Sequence, residues 1–151
     1  MILIKNTQRT VKLNTKKIKQ TAQDILDILG YDDFDLGIWF TTNKTIHEYN
    51  LTYRHKDKPT DILSFPNYPD LKAGERIQAT TADEKNLGDL ILAPEYIKAD
   101  AKRLGVTFEQ RMRRLLVHGV CHLLGYDHIK DEDYKVMFKL EMSILRKLKK
   151  V

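Results

Sequence analysis

Along residues 34–40 the apolar side chains alternate, with Phe34, Leu36, Ile38 and Phe40 on one face, the period of a half-buried strand. Met1 to Leu13 also reads as short strand material, with Ile2 and Ile4 on one side. Thr15 is placed to cap a helix running through Leu29, in which Ile18, Ala22, Ile25 and Leu29 recur at helical spacing and Gly30 is the terminator. Thr42 or Asn43 caps a short helix to about Tyr53. Asp61 to Phe65 is a strand ended by Pro66, and Leu87 to Ala93 is another, closed by Pro94 at the first position of a helix. Between those two strands, residues 67–86 are polar without clear periodicity, which predicts a functional flap or a partly disordered loop. The remainder is helical: Pro94 to Leu104, Thr107 to Leu124 and Asp131 to about Lys149. The last of these carries Tyr134, Met137, Leu140, Ile144 and Leu148 on one stripe. Strands first and helices last predict an α+β class, with a small mixed sheet of about four strands packed with about five helices.

Length and charge narrow this picture. At 151 residues the chain fits one domain, residues 1–151, and no apolar run approaches the ~20 residues that cross a bilayer. The start, Met1-Ile2-Leu3-Ile4-Lys5, has none of the marks of a secretory signal, and Cys121 is the only cysteine. The expectation is therefore a cytoplasmic, reducing environment without an intramolecular disulfide. Residues 101–151 carry 12 Lys and Arg against 6 Asp and Glu, whereas residues 1–100 carry 14 against 15. The basic excess sits around the histidines, which fits a polyanion such as nucleic acid, although charge alone favours a solvated surface with cationic helix ends. The sequence leaves the oligomeric state open.

The chemistry concentrates in residues 115–128. Side chains four apart on an α-helix differ by about 40° in azimuth, so His118 and His122 project side by side from one face. Gly125 can take a positive φ, end the helix and bring His128 back toward them. Three neutral imidazoles leave an ion its full charge and an open fourth position, where zinc acidifies water to a pKa of about 7. Isolated core histidines are common, but two neighbouring rings buried without an ion or another partner would cost several kcal/mol. The prediction is a one-zinc site at a helix end, with His118, His122 and His128 as ligands.

The spacing H-x-x-x-H-x-x-G-x-x-H is that of the metzincin peptidases, which place Glu after the first histidine as general base. Gly119 occupies that position here and can neither accept nor return a proton. A zinc peptidase would need its base from elsewhere.

Three blocks resemble the YbeY-type endoribonucleases, also described as rRNA maturation factors. They are His118-Gly119-Val120-Cys121-His122-Leu123-Leu124-Gly125-Tyr126-Asp127-His128, the stretch from Asn50 through Arg54 and Asp61-Ile62-Leu63-Ser64-Phe65 to Pro66, and Leu87-Gly88-Asp89-Leu90. The resemblance implies a bacterial, zinc-dependent, single-strand-specific endoribonuclease in small-subunit (16S) rRNA maturation and ribosome quality control. Its partners would be single-stranded RNA and the small ribosomal subunit, with no membrane. It implies His118, His122 and His128 as metal ligands and Arg54 as the functional arginine. Residue chemistry agrees, since a guanidinium offers planar paired donors to phosphate oxygens, although Arg54 also reads as an ordinary surface or helix-end arginine.

Other residues stay open. Arg111 and Arg114 precede His118 by seven and four positions and form either a basic approach to the metal or an exposed helix start. Lys56 and Lys58 read as a solvated basic loop, Cys121 as packing, and Asp127 as either an imidazole partner or a turn residue. His47 and His55 have no ligand spacing. A non-catalytic RNA-binding assembly factor with structural zinc is the remaining alternative, and an Asp or Glu from residues 67–86 would close its site as fourth ligand.

Overall fold

The computed structural model describes residues 1–149. The chain runs β1 (Ile2–Asn6), α1 (Thr15–Leu29), β2 (Asp35–Phe40), α2 (Asn43–Arg54), β3 (Ile62–Pro66), a 3-10 turn (Ala82–Glu84), β4 (Asn86–Leu92), α3 (Pro94–Leu104), α4 (Phe108–Leu123) and α5 (Asp131–Leu148). This is one small α+β domain, as the hydrophobic pattern predicts. The four strands lie in the order β1-β2-β4-β3, with β1, β2 and β4 parallel and β3 antiparallel at the edge. No helix among the described residues is long and apolar enough to cross a membrane.

The register sorts the sheet into two faces. Ile2, Leu36, Ile38, Phe40, Leu90, Leu92 and Ile62 share the face that packs against α1, α4 and α5 in the main core. The other face carries Leu3, Lys5, Trp39, Leu63, Phe65, Asp89 and Ile91, and α2 lies on it, with Tyr96 of α3 packing beside it. There Ile46 is buried with Leu63, Ile91 and Ala93. Helices α2 and α4 therefore lie on opposite faces of the sheet.

Two sequence expectations change. The N-cap of α1 is Asn14, whose side chain accepts from Lys17 N, and Thr15 is the first helical residue. Residues 67–86 are an anchored segment, not a loose flap. Ile77 is buried, and its N–H donates to the Tyr31 hydroxyl at 3.1 Å. The Arg76 guanidinium lies 4.2 Å from the Tyr31 ring centroid and donates to the carbonyls of Leu29 and Gly30. Tyr68 closes the segment by donating to Glu84 O at 2.5 Å.

Candidate metal centre

Helix α4 starts at a full capping box, in which Thr107 Oγ1 accepts from Gln110 N and the Gln110 side chain accepts from Thr107 N. Its buried stripe of Met112, Leu115, Leu116, Val120 and Leu123 fixes its rotation on the sheet and leaves His118 and His122 half-buried at the flank. The helix ends as Tyr126 N donates to Cys121 O and Gly125 N to His122 O. Gly125 has φ +91°, and a Cβ there would run into the carbonyl oxygen of Leu71. A glycine is required both by the left-handed turn and by the anchored segment that packs on it. The reversal brings exposed His128 back, so that one nitrogen from each of the three histidines lies within 4.8 Å of the others.

Hydrogen bonds select the nitrogens. His118 Nδ1–H donates to Glu141 Oε2 at 2.9 Å, and His122 Nδ1–H donates to Tyr126 O at 2.9 Å. Carboxylates and carbonyls only accept, so both protons sit on Nδ1 and each Nε2 presents a lone pair. The two Nε2 atoms face each other at 3.0 Å. Two lone pairs at that distance repel, and a cation between them turns the repulsion into coordination. Ligand nitrogens on tetrahedral zinc, with bonds of about 2.0–2.1 Å, stand about 3.3 Å apart, so the donor set fits the ion. Burial, reinforced by the His118 and His128 rings, pushes the His122 pKa down to about 4, so the ring is in its neutral, ligating form at pH 7.

The three predicted ligands are thus brought together, and no aspartate or glutamate among the described residues joins them. The Asp or Glu from residues 67–86 that the structural-zinc alternative required is not in the cluster, which consists of three imidazoles. The sequence reading missed Glu141, which is 6% exposed on α5. Its signal was its position: it lies on the stripe of Met137 and Ile144, where an apolar residue belongs. Asp127 is a turn residue, accepting from Ile129 N at 3.2 Å. Cys121 is fully buried, and desolvation pushes its thiol up to about 12, as befits packing.

The cations are distributed differently from the expectation. Arg111 is engaged by Asp61 and Asp100 at 3.3 and 3.2 Å, which ties α4 to the start of β3 and to α3 and removes it from any phosphate approach. Arg114 lies over Phe138, 5.7 Å from the ring centroid. Arg54 is exposed at the last position of α2, and no hydrogen bond or ion pair among the described residues links it to the imidazoles. The two unassigned histidines shape the loop after it. His55 is the left-handed cap of α2 at φ +59°, and His47 Nε2 pairs with Asp57 Oδ1 at 2.7 Å. Asn50 adds a bond from Nδ2 to Lys58 O at 2.9 Å.

Comparison with known proteins converges with this geometry. The chain resembles in fold a solution structure from Thermotoga maritima, with a TM-score of 0.64 and 23% identity over 98% of this chain and 89% of that one. Relatives named Endoribonuclease YbeY are 39% identical in Sulfurihydrogenibium sp. (97% of this chain, 91% of the relative) and 39% identical in Aquifex aeolicus (99% and 92%). A human relative of the same name is 37% identical over 97% of this chain and 87% of its own length. The profile of the family described as Endoribonuclease YbeY matches residues 3–149, nearly the whole described chain, and the chain belongs to that family.

Proposed function

We propose that this chain is a single-domain, zinc-dependent endoribonuclease that hydrolyses phosphodiesters of single-stranded RNA. Its setting would be 16S rRNA maturation on the small ribosomal subunit in the cytoplasm. The observation that carries the metal chemistry is the pair of Nε2 lone pairs facing each other at 3.0 Å while both Nδ1 protons are engaged. His118, His122 and His128 would hold the ion. Zinc so bound supplies Lewis acidity and lowers the pKa of water.

The chain's own residues supply the rest. Glu141 keeps its proton partner at His118 Nδ1 and aims the ring, and Tyr126 O does the same for His122. Arg54 stabilises developing phosphate charge. In support, it is exposed, and the loop that follows it leads directly into edge strand β3, whose Ser64 Oγ reaches Gly119 O on α4 at 3.4 Å. On this reading, RNA would have to pass the β3 edge for one strand to engage both Arg54 and the imidazoles. Gly119 cannot serve as a base, which is compatible with phosphodiester hydrolysis and counts against a peptidase.

The test measures zinc content and cleavage of single-stranded RNA by the purified chain, beside His118→Ala, His122→Ala and Arg54→Ala. Arg54→Ala is expected to keep zinc and fold and to lose cleavage. A wild-type chain that holds zinc and cleaves nothing would instead favour the structural-zinc assembly factor.

A further inference from the structure

The face of the sheet away from α4 is only partly covered by α2, and it holds an aromatic cluster that the metal site does not use. A depression of about 470 Å³ opens there, within the ~300–1,000 Å³ range of small-molecule sites. Its aromatic wall is built from three elements: Trp39 on β2, Phe65 on β3, and Tyr49 and Tyr53 on α2. Trp39 meets Tyr49 edge-on at 5.5 Å, Tyr49 stacks on Tyr53 at 5.8 Å, and Tyr53 meets Phe65 edge-on at 5.2 Å. Packing alone does not account for this wall, because Tyr53 is 60% exposed. The Trp39 indole is held from its edge, donating to Thr7 Oγ1 at 2.8 Å, and Lys5 Nζ stands 4.8 Å from its ring centroid.

The floor carries one carboxylate. Asp89 pairs in register with Gly37, and a Cβ at residue 37 would run into Asp89 Oδ1, so the absent side chain lets the carboxylate lie across the β2 backbone. Asp89 is exposed and makes no side-chain hydrogen bond or ion pair among the described residues. A carboxylate repels phosphate but accepts from base N–H groups, whereas Lys5 attracts phosphate and the rings offer stacking planes. That combination matches a nucleobase with its backbone. Guanine fits best, because its adjacent N1–H and N2–H donors match two carboxylate oxygens. Tyr53, Phe65 and Asp89 also belong to the two sequence blocks, outside the histidine block, that carry the family resemblance. The exposed cations Arg54, Lys56 and Lys58 follow Tyr53 along the chain, at the end of α2 and in the loop that leads into β3.

We propose that this face is a second RNA-binding site, in which a guanine of the single-stranded substrate stacks on the Tyr53–Trp39 wall and donates to Asp89. The proposal rests on the endoribonuclease reading and adds where, and through which base, the substrate is held. Trp39 is the only tryptophan, so its fluorescence reports the site directly. Zinc-loaded full-length protein would be mixed with a guanosine-containing single-stranded octamer and read by stopped flow, ahead of cleavage. Saturable quenching is expected. Replacing guanosine by inosine, which lacks the 2-amino group, should weaken binding about tenfold. Tyr53→Ala should also cost about tenfold, near the loss of one base–aromatic stack, and Asp89→Asn should erase the guanosine preference. Both side chains are exposed, and unchanged thermal melting would confirm the variants' fold. Cleavage without quenching, or with quenching indifferent to both variants, overturns the second site and leaves the nuclease standing. Quenching without cleavage supports the second site and counts against the nuclease. A stable dimer with this face buried between copies overturns the proposal.

Discussion

Oε2 of Glu141 on α5 accepts the Nδ1–H of His118 on α4 at 2.9 Å, so an acid twenty-three residues away holds the orientation of a proposed metal ligand. Removing such a partner typically weakens metal binding 10–100-fold. Glu141→Gln keeps an acceptor without the charge and is expected near the lower figure, whereas Glu141→Leu, with no acceptor, is expected near the upper. Competition with a chromogenic chelator measures both. Unchanged zinc affinity in Glu141→Leu would show that the contact does not support the site.

Gly125→Ala places a side chain at φ +91° and against the carbonyl of Leu71. Backbone held in a disfavoured region costs about 1–3 kcal/mol, and the steric conflict adds to it. The expected result is a melting temperature lower by several degrees together with weaker zinc binding, since the same turn returns His128. Calorimetry with and without zinc separates the two effects.

The histidine site was legible in the sequence because its geometry is local: two positions on one helix face, a glycine and a short return. The supporting contacts are not local. Glu141 reaches His118 from another helix, and a Glu on an apolar stripe marks an anomaly without naming its partner. Segment 67–86 looked loose because its polar residues have no period, yet a few long-range anchors hold it, with Ile77 and Arg76 on Tyr31 and Leu71 beneath Gly125. Elements α2 and α4 were readable as helices, but the faces they cover follow from strand order, to which hydrophobic period is blind. Arg54 therefore lies on the helix opposite α4, a relation that spacing along the chain does not encode.

Arg111→Ala should act on stability, not primarily on RNA. Its guanidinium bridges Asp61 and Asp100, both largely shielded from solvent, and its loss leaves two carboxylates without that partner. Asp100 keeps its bonds from Arg103 and Asp61 its bond from Ile62 N, so the cost is that of the lost charged hydrogen bonds, about 1.5–3 kcal/mol. Urea denaturation should show a lower midpoint, while zinc content is retained. A variant with unchanged stability and weakened RNA binding would restore Arg111 to the phosphate approach.

Placing the metzincin glutamate into this frame should not create a peptidase. A Cβ on Gly119 would stand 2.7 Å from Ile62 Cδ1 and 2.9 Å from Leu90 Cδ2, so residue 119 faces the sheet. Overpacking of this kind costs about 1–3 kcal/mol even for a methyl group, and a buried carboxylate adds desolvation. Gly119→Ala is expected to fold with a lowered melting temperature and to keep zinc. Gly119→Glu is expected to be markedly less stable and to leave casein intact, and casein hydrolysis by that variant would revive the peptidase reading.

The nucleophile separates two versions of the nuclease. No aspartate or glutamate among the described residues joins the imidazole cluster to serve as base for a 2′-hydroxyl, whereas an ion held by His118, His122 and His128 would supply an acidified water, which favours water as the nucleophile. A single-stranded substrate with 2′-deoxy at the scissile nucleotide should therefore still be cut, at a rate within about tenfold of the all-RNA strand, since only one hydrogen-bonding hydroxyl is lost. Gel analysis of the products, with binding measured in parallel, reads the result. Complete loss of cleavage with binding retained would assign the attack to the 2′-hydroxyl and reduce the metal's part to charge stabilisation.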